Sequence, residues 1–199
     1  MRRIIDIAEL EALYGAAVPA SLTKVATRLT PAYRRWIEAS RFCVLSTVGP
    51  EGTDGSPRGD DAPVVRIVDE KTLWLPDWRG NNRIDSLRNI VRDGRVSLMF
   101  MVPGSHNVVR LIGRAVLTAD PAVTGTFEQR GRHPRTVIVI TLGEVYFQCA
   151  KAVMRAGLWS RDDAAGLPTA GDFLTEADSG FDGTTYDATY AEAAQDRMW

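Results

Sequence analysis

The spacing of hydrophobic and polar positions along the chain changes near residue 41. Before it, apolar side chains recur at helical intervals, and Thr30-Pro31 supplies the N-cap and first-turn proline of a helix over residues 32–40. After it, short runs rich in β-branched residues alternate with turn residues, which is typical of strands. The pattern therefore predicts a helical lead-in over residues 1–40, followed by a strand-rich region.

Six runs in the second region have the length and composition of strands. They cover residues 42–48, 63–68, 72–76, 95–102, 108–117 and 136–147, with Gly143 as a predicted bulge. Further helices are predicted over residues 82–93, 121–130 and 186–198. Because hairpins outnumber strand–helix–strand units, we expect a mainly β fold, an antiparallel sheet curled into a barrel with helices outside it. No repeat or linker divides residues 1–199, so a single domain is expected.

Charge divides the chain more sharply than its net value of −1 suggests. Residues 1–159 carry 22 Lys and Arg against 16 Asp and Glu, whereas residues 160–199 carry two arginines against nine acidic residues. The predicted barrel region, residues 41–159, therefore lies in the basic part of the chain, and residues 160–199 form an acidic helical tail. We expect this tail to pack on the barrel or on a partner copy of the chain.

Composition places the chain among soluble globular proteins. It has 45% hydrophobic residues but no run approaching the roughly 18 apolar residues of a membrane span. Its first nine residues include carboxylates where a signal peptide has its apolar stretch. Cys43 and Cys149 lie in apolar strand-like segments, so we expect buried free thiols and a reducing, cytoplasmic location.

Most enzyme signatures are absent from the sequence. It contains no dinucleotide-binding glycine fingerprint, no Walker loop and no nucleophile elbow. His106 and His133 do not pair with a cysteine at ligand spacing, so we expect surface histidines and no metal site. The arginines are dispersed without interleaved aromatic residues, which argues against nucleic-acid binding.

One segment combines residues suited to binding an anion. The predicted strand at residues 72–76 leads into the next predicted helix through Gly80-Asn81-Asn82-Arg83. Free N–H groups and the positive end of the helix dipole attract anions at such a start, and a guanidinium adds a charged donor. The alternative is that Asn82 simply caps the helix and Arg83 points into water. The residues alone leave both interpretations open.

A second candidate segment is residues 54–61, Asp54-Gly55-Ser56-Pro57-Arg58-Gly59-Asp60-Asp61. Its glycines and proline let backbone approach a ligand closely, and Arg58 is able to reach an acidic or carbonyl group. The alternative is a β-turn or a break in an edge strand. Asp60 and Asp61 are interpreted as turn or capping residues, because adjacent side chains diverge. Arg66 lies in an apolar run, where an arginine either extends to the surface or meets a buried anion.

Together these segments resemble the pyridoxamine 5'-phosphate oxidase-like FMN-binding split-barrel superfamily, in particular its bacterial branch with a Ser-Pro-Arg-Gly-Asp motif. The resemblance is carried by residues 42–47, 56–60, 75–77, 80–90, 95–100, 111–115, 149–152 and 157–159, and covers most of residues 30–159. It implies a six-stranded antiparallel split β-barrel. It also implies a homodimer that holds FMN at the subunit interface.

The resemblance implies roles for twelve residues in cofactor binding. Arg83 corresponds to the basic residue that holds the flavin phosphate. Asn81 and Asn82 are neighbours of this phosphate. The strand residues that pass the isoalloxazine ring are Leu75, Pro76 and Asp77. The residues on the ring or substrate side are Ser56, Pro57 and Arg58. Arg66 corresponds to an arginine of the strand before the one that passes the isoalloxazine ring. Arg110 and Lys151 are candidates to reach the flavin of a partner subunit.

Departures from the family pattern bear on the reaction. Pyridoxamine phosphate oxidases proper have a longer hairpin, with a lysine where this chain has Val68-Asp69-Glu70, and a different C-terminal substrate-binding segment. We therefore expect an FMN-dependent oxidoreductase acting on another, unidentified small molecule, and no catalytic acid or base is assigned. The alternatives are a deazaflavin cofactor in the same fold, and a non-catalytic flavin-binding or regulatory module.

Overall fold

The computed structural model describes residues 1–199 and places the boundary between helices and sheet at residue 41. Three helices come first: α1 (Ile7–Tyr14), α2 (Pro19–Thr23) and α3 (Pro31–Glu38). The hydroxyl of Thr30 accepts a hydrogen bond from the N–H of Tyr33, so α3 starts with the side-chain cap that the sequence predicted.

Seven strands and five more helices follow. The strands are β1 (Phe42–Gly49), β2 (Gly52–Gly59), β3 (Arg66–Ile67), β4 (Thr72–Asp77), β5 (Arg95–Met101), β6 (Val108–Thr118) and β7 (Thr136–Gln148). The helices are α4 (Asp85–Arg92), α5 (Pro121–Thr124), α6 (Lys151–Ala156), α7 (Ala170–Ala177) and α8 (Gly183–Gln195).

The strands form one antiparallel sheet in the order β2-β1-β5-β6-β7-β4-β3. The sheet curls so far that Arg58 near the end of β2 forms an ion pair with Asp77 at the end of β4. These two strands are not paired with each other, so the barrel is split along this line. A mainly β split barrel with flanking helices is the fold class that the sequence predicted.

The sheet has seven strands rather than six, because residues 52–59 form a strand where turn residues were expected. β2 pairs with β1 at every position from Gly52 to Gly59. Its glycines and Pro57 disfavour strands in general, but an edge strand tolerates them because it must pair on one side only. In contrast, β3 keeps only Arg66 and Ile67 of the run predicted over residues 63–68.

The bulge predicted at Gly143 is present between the two longest strands. The register of β6 against β7 shifts between Ile112 and Gly113, which leaves Gly143 without a partner of its own. A Cβ on Gly113 would lie 2.2 Å from the carbonyl oxygen of Thr141, closer than any side chain approaches a backbone. Glycine is therefore required where these strands bend.

The hydrophobic core fills the inside of the curled sheet. Alternate residues of the central strands are fully buried, such as Leu45 in β1, Leu98 in β5 and Leu111 in β6. Ile37 of α3 joins the same cluster of 19 buried residues, all of which lie within residues 29–145. The acidic tail contributes none of them, so the core belongs to the barrel region.

The bounds of three helices, α4, α5 and α8, differ from the predicted ones. α4 begins at Asp85 instead of residue 82, because Asn82 and Ile84 have positive φ angles. α5 ends at Thr124 instead of residue 130, and α8 lies three residues earlier than predicted at each end. None of the eight helices combines the length and apolar composition needed to cross a membrane.

The two cysteines have opposite environments. Cys43 is buried in β1, and this burial raises the pKa of its thiol to about 12, with the nearby charge of Arg58 offsetting part of the effect. Cys149, directly after β7, is exposed. The expectation of two buried thiols is therefore wrong for Cys149, which lies beyond the last core position of its strand.

Candidate functional site

The split between β2 and β4 opens into a cavity of about 1010 Å³. This volume is at the upper end of the usual range for ligand pockets, about 300–1,000 Å³. Three stretches form most of its wall: residues 54–60, residues 75–87 from the end of β4 into α4, and residues 132–135. Curling of the sheet brings these distant stretches together.

Nine of the twelve residues singled out by the sequence line this cavity. They are Ser56, Pro57, Arg58, Leu75, Pro76, Asp77, Asn81, Asn82 and Arg83. They belong to two segments that the sequence offered as separate candidates, and the strand order makes the two segments face each other.

Arg66 lies outside the cavity and is already bound within the chain. Its guanidinium donates to the hydroxyl of Thr126 at 2.6 Å and to the carbonyl oxygen of the same residue at 2.8 Å. The guanidinium also lies 3.9 Å from the ring centre of Phe127. In this structure Arg66 therefore ties β3 to the segment after α5.

Arg110 and Lys151 also lie outside the cavity. The guanidinium of Arg110 is 5.5 Å from the ring centre of Tyr146, and its Nε is buried without a hydrogen-bond partner. Lys151 is exposed at the start of α6. Within one copy of the chain, neither residue reaches the site that the other nine form.

α4 begins at the cavity with a backbone that no side chain caps. Asn82 has a φ of 62° and Ile84 a φ of 53°, both in the left-handed region. For a β-branched residue such as Ile84 this conformation costs about 1–2 kcal/mol. Ile84 occupies the N-cap position, so the alternative in which Asn82 caps the helix is wrong. The first N–H groups of α4 remain free, and the residues that carry them line the cavity.

Positive charge accumulates beside these free N–H groups. Five arginines and four aspartates line the cavity. The side chain of Arg83 is 79% exposed and donates through Nε to Asp85 at 3.0 Å. Arg79 and Arg135 have no carboxylate partner within the chain, so part of this charge is not neutralised. The arrangement is suited to an anionic ligand.

Arg58 lies between the two sides of the split. Its Nη1 donates to Oδ1 of Asp77 at 2.5 Å, and each of the two side chains is only 19% exposed. Its Nε is buried and has no hydrogen-bond partner. An unsatisfied buried donor costs about 1–3 kcal/mol.

Asp60 joins three stretches of chain around the cavity. Its Oδ2 accepts from Nε1 of Trp78, and its Oδ1 from Nε2 of Gln129, both at 2.7 Å. Oδ1 also accepts from the N–H of Asp61, which is the local turn contact that the sequence predicted. The bond to Gln129 spans 69 residues, so no local motif could have indicated it.

Two aromatic residues of the cavity wall come from the acidic tail, Tyr190 and Trp199. No motif pointed to them; the only signal was the charge division, which predicted that the tail packs on the barrel. The tail does contact the barrel region, where Nη1 of Arg132 donates to the backbone oxygen of Trp199 at 2.6 Å and the guanidinium of Arg130 lies 4.6 Å from its ring centre. The acidic side chains of the tail form no ion pair with the barrel, so charge attraction is not what holds it there.

A protein-family model matches the part of the chain that builds the sheet. It is described as pyridoxamine 5'-phosphate oxidase and covers residues 29–149, more than half of the chain. The chain belongs to the pyridoxamine 5'-phosphate oxidase family. The match to this family includes all seven strands, whereas α7, α8 and the residues after them lie outside it.

Solved structures similar to this family member have low sequence identity. A single-residue variant of HupZ from Group A Streptococcus has a TM-score of 0.50 at 18% identity, over 60% of this chain and 98% of HupZ. A candidate pyridoxamine 5'-phosphate oxidase from Lactobacillus delbrueckii has a TM-score of 0.49 at 21% identity, over 61% and 95%. An F420 reductase has a TM-score of 0.44 at 15% identity, over 60% and 98%. No curated protein matches the sequence. The similarity to HupZ concerns the fold.

Proposed function

We propose that this protein binds FMN in the cavity between β2 and β4, and that it is an FMN-dependent oxidoreductase acting on a small molecule. The observation that carries the proposal is the uncapped start of α4, whose free N–H groups open into the same cavity as the unneutralised arginines. Phosphate is an anion well suited to such a helix start. Membership of the family supports a flavin as the compound that carries the phosphate.

The phosphate binds at the start of α4. The first-turn N–H groups donate to it, and Arg83 turns from its exposed partner Asp85 to the more highly charged group. Asn81 accepts a hydrogen bond from the N–H of Arg83 at 3.1 Å and thereby orders the loop that presents this arginine. The strained backbone at Ile84 keeps the helix N–H groups directed at the site instead of at a capping side chain.

The ring system binds at the split. Leu75 and Pro76 are buried in β4 and would offer it an apolar strand, while the guanidinium of Arg58, which lines the cavity, would supply positive charge beside the ring. Asp77 holds Arg58 in this position. A fixed positive charge there favours negative charge on the ring. The flavin, when bound, supplies hydride or electron transfer, and the chain binds and orients it.

A homodimer is part of this proposal. Phe42, Met99 and Ile112 are exposed on neighbouring strands of the sheet, next to Arg110. A second copy covering this face would bury these apolar side chains and bring Arg110 and Lys151 towards the other copy's cavity. Sedimentation velocity of the full chain is expected to show a dimer, and a monomer at micromolar concentration would contradict this part of the proposal.

The proposal is tested by titrating the purified protein with FMN, riboflavin and a deazaflavin phosphate, followed by absorbance and fluorescence. We expect Arg83→Ala to weaken FMN binding about tenfold and riboflavin binding little, since a charged hydrogen bond contributes about 1.5–3 kcal/mol. Arg88→Ala is the matched control, because Arg88 is exposed on the same helix but does not line the cavity.

Each outcome of the titration has a defined meaning. Absence of FMN binding by the wild-type protein overturns the proposal, and tighter binding of the deazaflavin replaces FMN by that cofactor. Equal weakening of FMN and riboflavin in Arg83→Ala removes the phosphate role of this arginine. Oxidation of NADH or NADPH by the FMN-loaded protein, with an added acceptor, distinguishes an enzyme from a non-catalytic flavin-binding module.

A further inference from the structure

The acidic tail lies outside the family match, yet it reaches the ligand cavity. Its helices α7 and α8 meet at Gly171 and Gly183, where a Cβ on Gly183 would lie 2.4 Å from the carbonyl oxygen of Gly171. From this close contact α8 leads to Tyr190 and then to Trp199, and both line the cavity. A segment that contributes nothing to the barrel core therefore supplies an aromatic part of the cavity wall.

Trp199 is fixed by two arginines of the barrel region. Only 6% of its surface is exposed, although residues 195–198 before it are exposed. The guanidinium of Arg130 lies 4.6 Å from its ring centre, and Nη1 of Arg132 donates to its carbonyl oxygen at 2.6 Å. The same Nη1 donates to the carbonyl oxygen of Asp196 at 3.1 Å. The side chain and the backbone of Trp199 are thus held separately.

The turn that carries these arginines has a constrained backbone. Gln129 and Arg132 exchange two N–H···O bonds of 2.9 Å, and the residues between them, Arg130 and Gly131, have φ angles of 52° and 73°. Positive φ at both central positions defines a type I′ turn, which favours asparagine or glycine. An arginine is strained at the first of these positions. The contact of its side chain with Trp199 gives a reason for its presence.

The same turn is connected to the cavity wall. Gln129 donates to Asp60 at 2.7 Å, and Asp60 accepts from Trp78, which lies in the loop that leads to α4. The tail, the turn and the segments that form the proposed flavin site are therefore linked by an unbroken series of hydrogen bonds.

We propose that residues 190–199 form a cap that covers the ligand cavity and slows the release of a bound flavin, with Arg130 and Arg132 as its latch. The rings of Tyr190 and Trp199 offer flat apolar surface to a planar aromatic ligand and exclude water from it. Because the latch consists of a few side-chain contacts outside the barrel core, it opens without unfolding of the barrel. The identity of the ligand rests on the proposed function, whereas the latch contact does not.

The test uses the full chain as wild type and as Arg130→Gly, Arg132→Ala and Arg197→Ala. Arg130→Gly keeps the turn, since glycine adopts a φ of 52° without strain, and removes the two contacts of the Arg130 side chain with the tail, one with the indole ring and one with the carbonyl oxygen of Gln195 at 3.4 Å. Arg197→Ala is the matched control: Arg197 lies in the same tail, donates to the carbonyl oxygen of Ala193 within α8, and does not line the cavity.

Two measurements are made on each variant. Without ligand, acrylamide quenching of tryptophan fluorescence is expected to rise in both latch variants, and this rise is expected to disappear when Trp199→Phe is added. With FMN, the rate constant of FMN release is expected to rise about fivefold in Arg130→Gly, the factor that the loss of a cation–π contact implies, and at least as much in Arg132→Ala, which loses two charged hydrogen bonds. Arg197→Ala is expected to match the wild type in both measurements.

Unchanged quenching in both latch variants overturns the proposal, because Trp199 is then not held by these arginines. Increased quenching with unchanged FMN release also overturns it, because the tail then contacts the barrel without covering the ligand. If the wild type binds no FMN, the proposed function has failed, and quenching then decides the latch contact: a rise that depends on Trp199 supports it, and equal quenching refutes it.

Discussion

The barrel region and the acidic tail contribute to the same cavity, but different interactions hold them in place. The strands are positioned by a cluster of 19 buried hydrophobic residues. Helices α7 and α8 each bury a single glycine, and Trp199 is the one large side chain that the tail buries, held by barrel arginines that also contact backbone carbonyls. Since apolar burial contributes about 25 cal/mol per Å², the stability resides in the barrel. One wall of the cavity is therefore rigid and the other is weakly held.

The largest expected difference between the two regions concerns a phenylalanine in each. Phe100 in β5 is fully buried, whereas Phe173 in α7 is 60% exposed. Phe100→Ala is expected to lower the free energy of unfolding by about 3–5 kcal/mol, because it leaves a cavity in the core. Phe173→Ala is expected to change it by less than about 0.5 kcal/mol. Urea unfolding followed by circular dichroism measures both, and equal losses would contradict the comparison.

A smaller difference is expected between two glycines at close backbone contacts. Gly113→Ala places a methyl group against the carbonyl oxygen of Thr141 and is expected to lower the free energy of unfolding by about 1–3 kcal/mol. Gly183→Ala places one against Gly171 and is expected to separate α7 from α8 while the sheet keeps its stability. Urea unfolding reports the first effect, and amide chemical shifts report the second. A comparable loss of sheet stability in Gly183→Ala would show that the tail shares the barrel core.

Acid is expected to act on the tail before it acts on the barrel. The N–H of Thr169 donates to Asp172 at 2.8 Å and holds the pKa of this carboxyl below its usual 3.8. The carboxylate therefore stabilises the start of α7 above about pH 3.8, and this stabilisation is lost as the pH falls through the lower folded-state pKa. Amide chemical shifts recorded during acidification are expected to change in α7 while those of β5 stay native. Simultaneous changes would argue against a separately stable barrel, and Asp172→Asn is expected to reduce the pH dependence of α7.

The smallest effects are expected at exposed ion pairs, where the two regions should not differ. Arg92 pairs with Glu51 in the barrel region, and Arg161 pairs with Asp163 in the tail. Both pairs are solvated, so Arg92→Ala and Arg161→Ala are expected to leave the urea midpoint unchanged within error. A clear shift in either variant would show that surface charge, and not burial, separates the regions.

The sequence predicted the strands that carry an apolar pattern and missed the one that does not. β5 and β6 follow the predicted runs within one residue at each end, because their alternating side chains are buried in the core. β2 has a turn-like composition, Gly-Thr-Asp-Gly-Ser-Pro-Arg-Gly, and forms a strand because β1 supplies a partner along its whole length. Tertiary pairing therefore overrode local propensity at β2.

In the candidate site too, the sequence indicated residues through their neighbours in the chain and missed contacts between residues far apart in it. Arg58 and Arg83 were indicated by the residues around them, and the structure places both in one cavity. Arg66 had an equally suggestive position in an apolar run, but its partner Thr126 is 60 residues away. Trp199 follows no recognisable motif at all. Contacts of this kind depend on how the sheet curls, which local spacing does not encode.

β2 also affects how the protein behaves at high concentration. As an edge strand beside an open split, it exposes unpaired N–H and C=O groups, which in other proteins recruit strands from neighbouring molecules into fibres. Pro57 lacks an N–H to offer, and Gly55 weakens the extended backbone, so this edge is a poor template for a strand of another molecule. The split is thus able to admit a ligand without making the protein prone to aggregation.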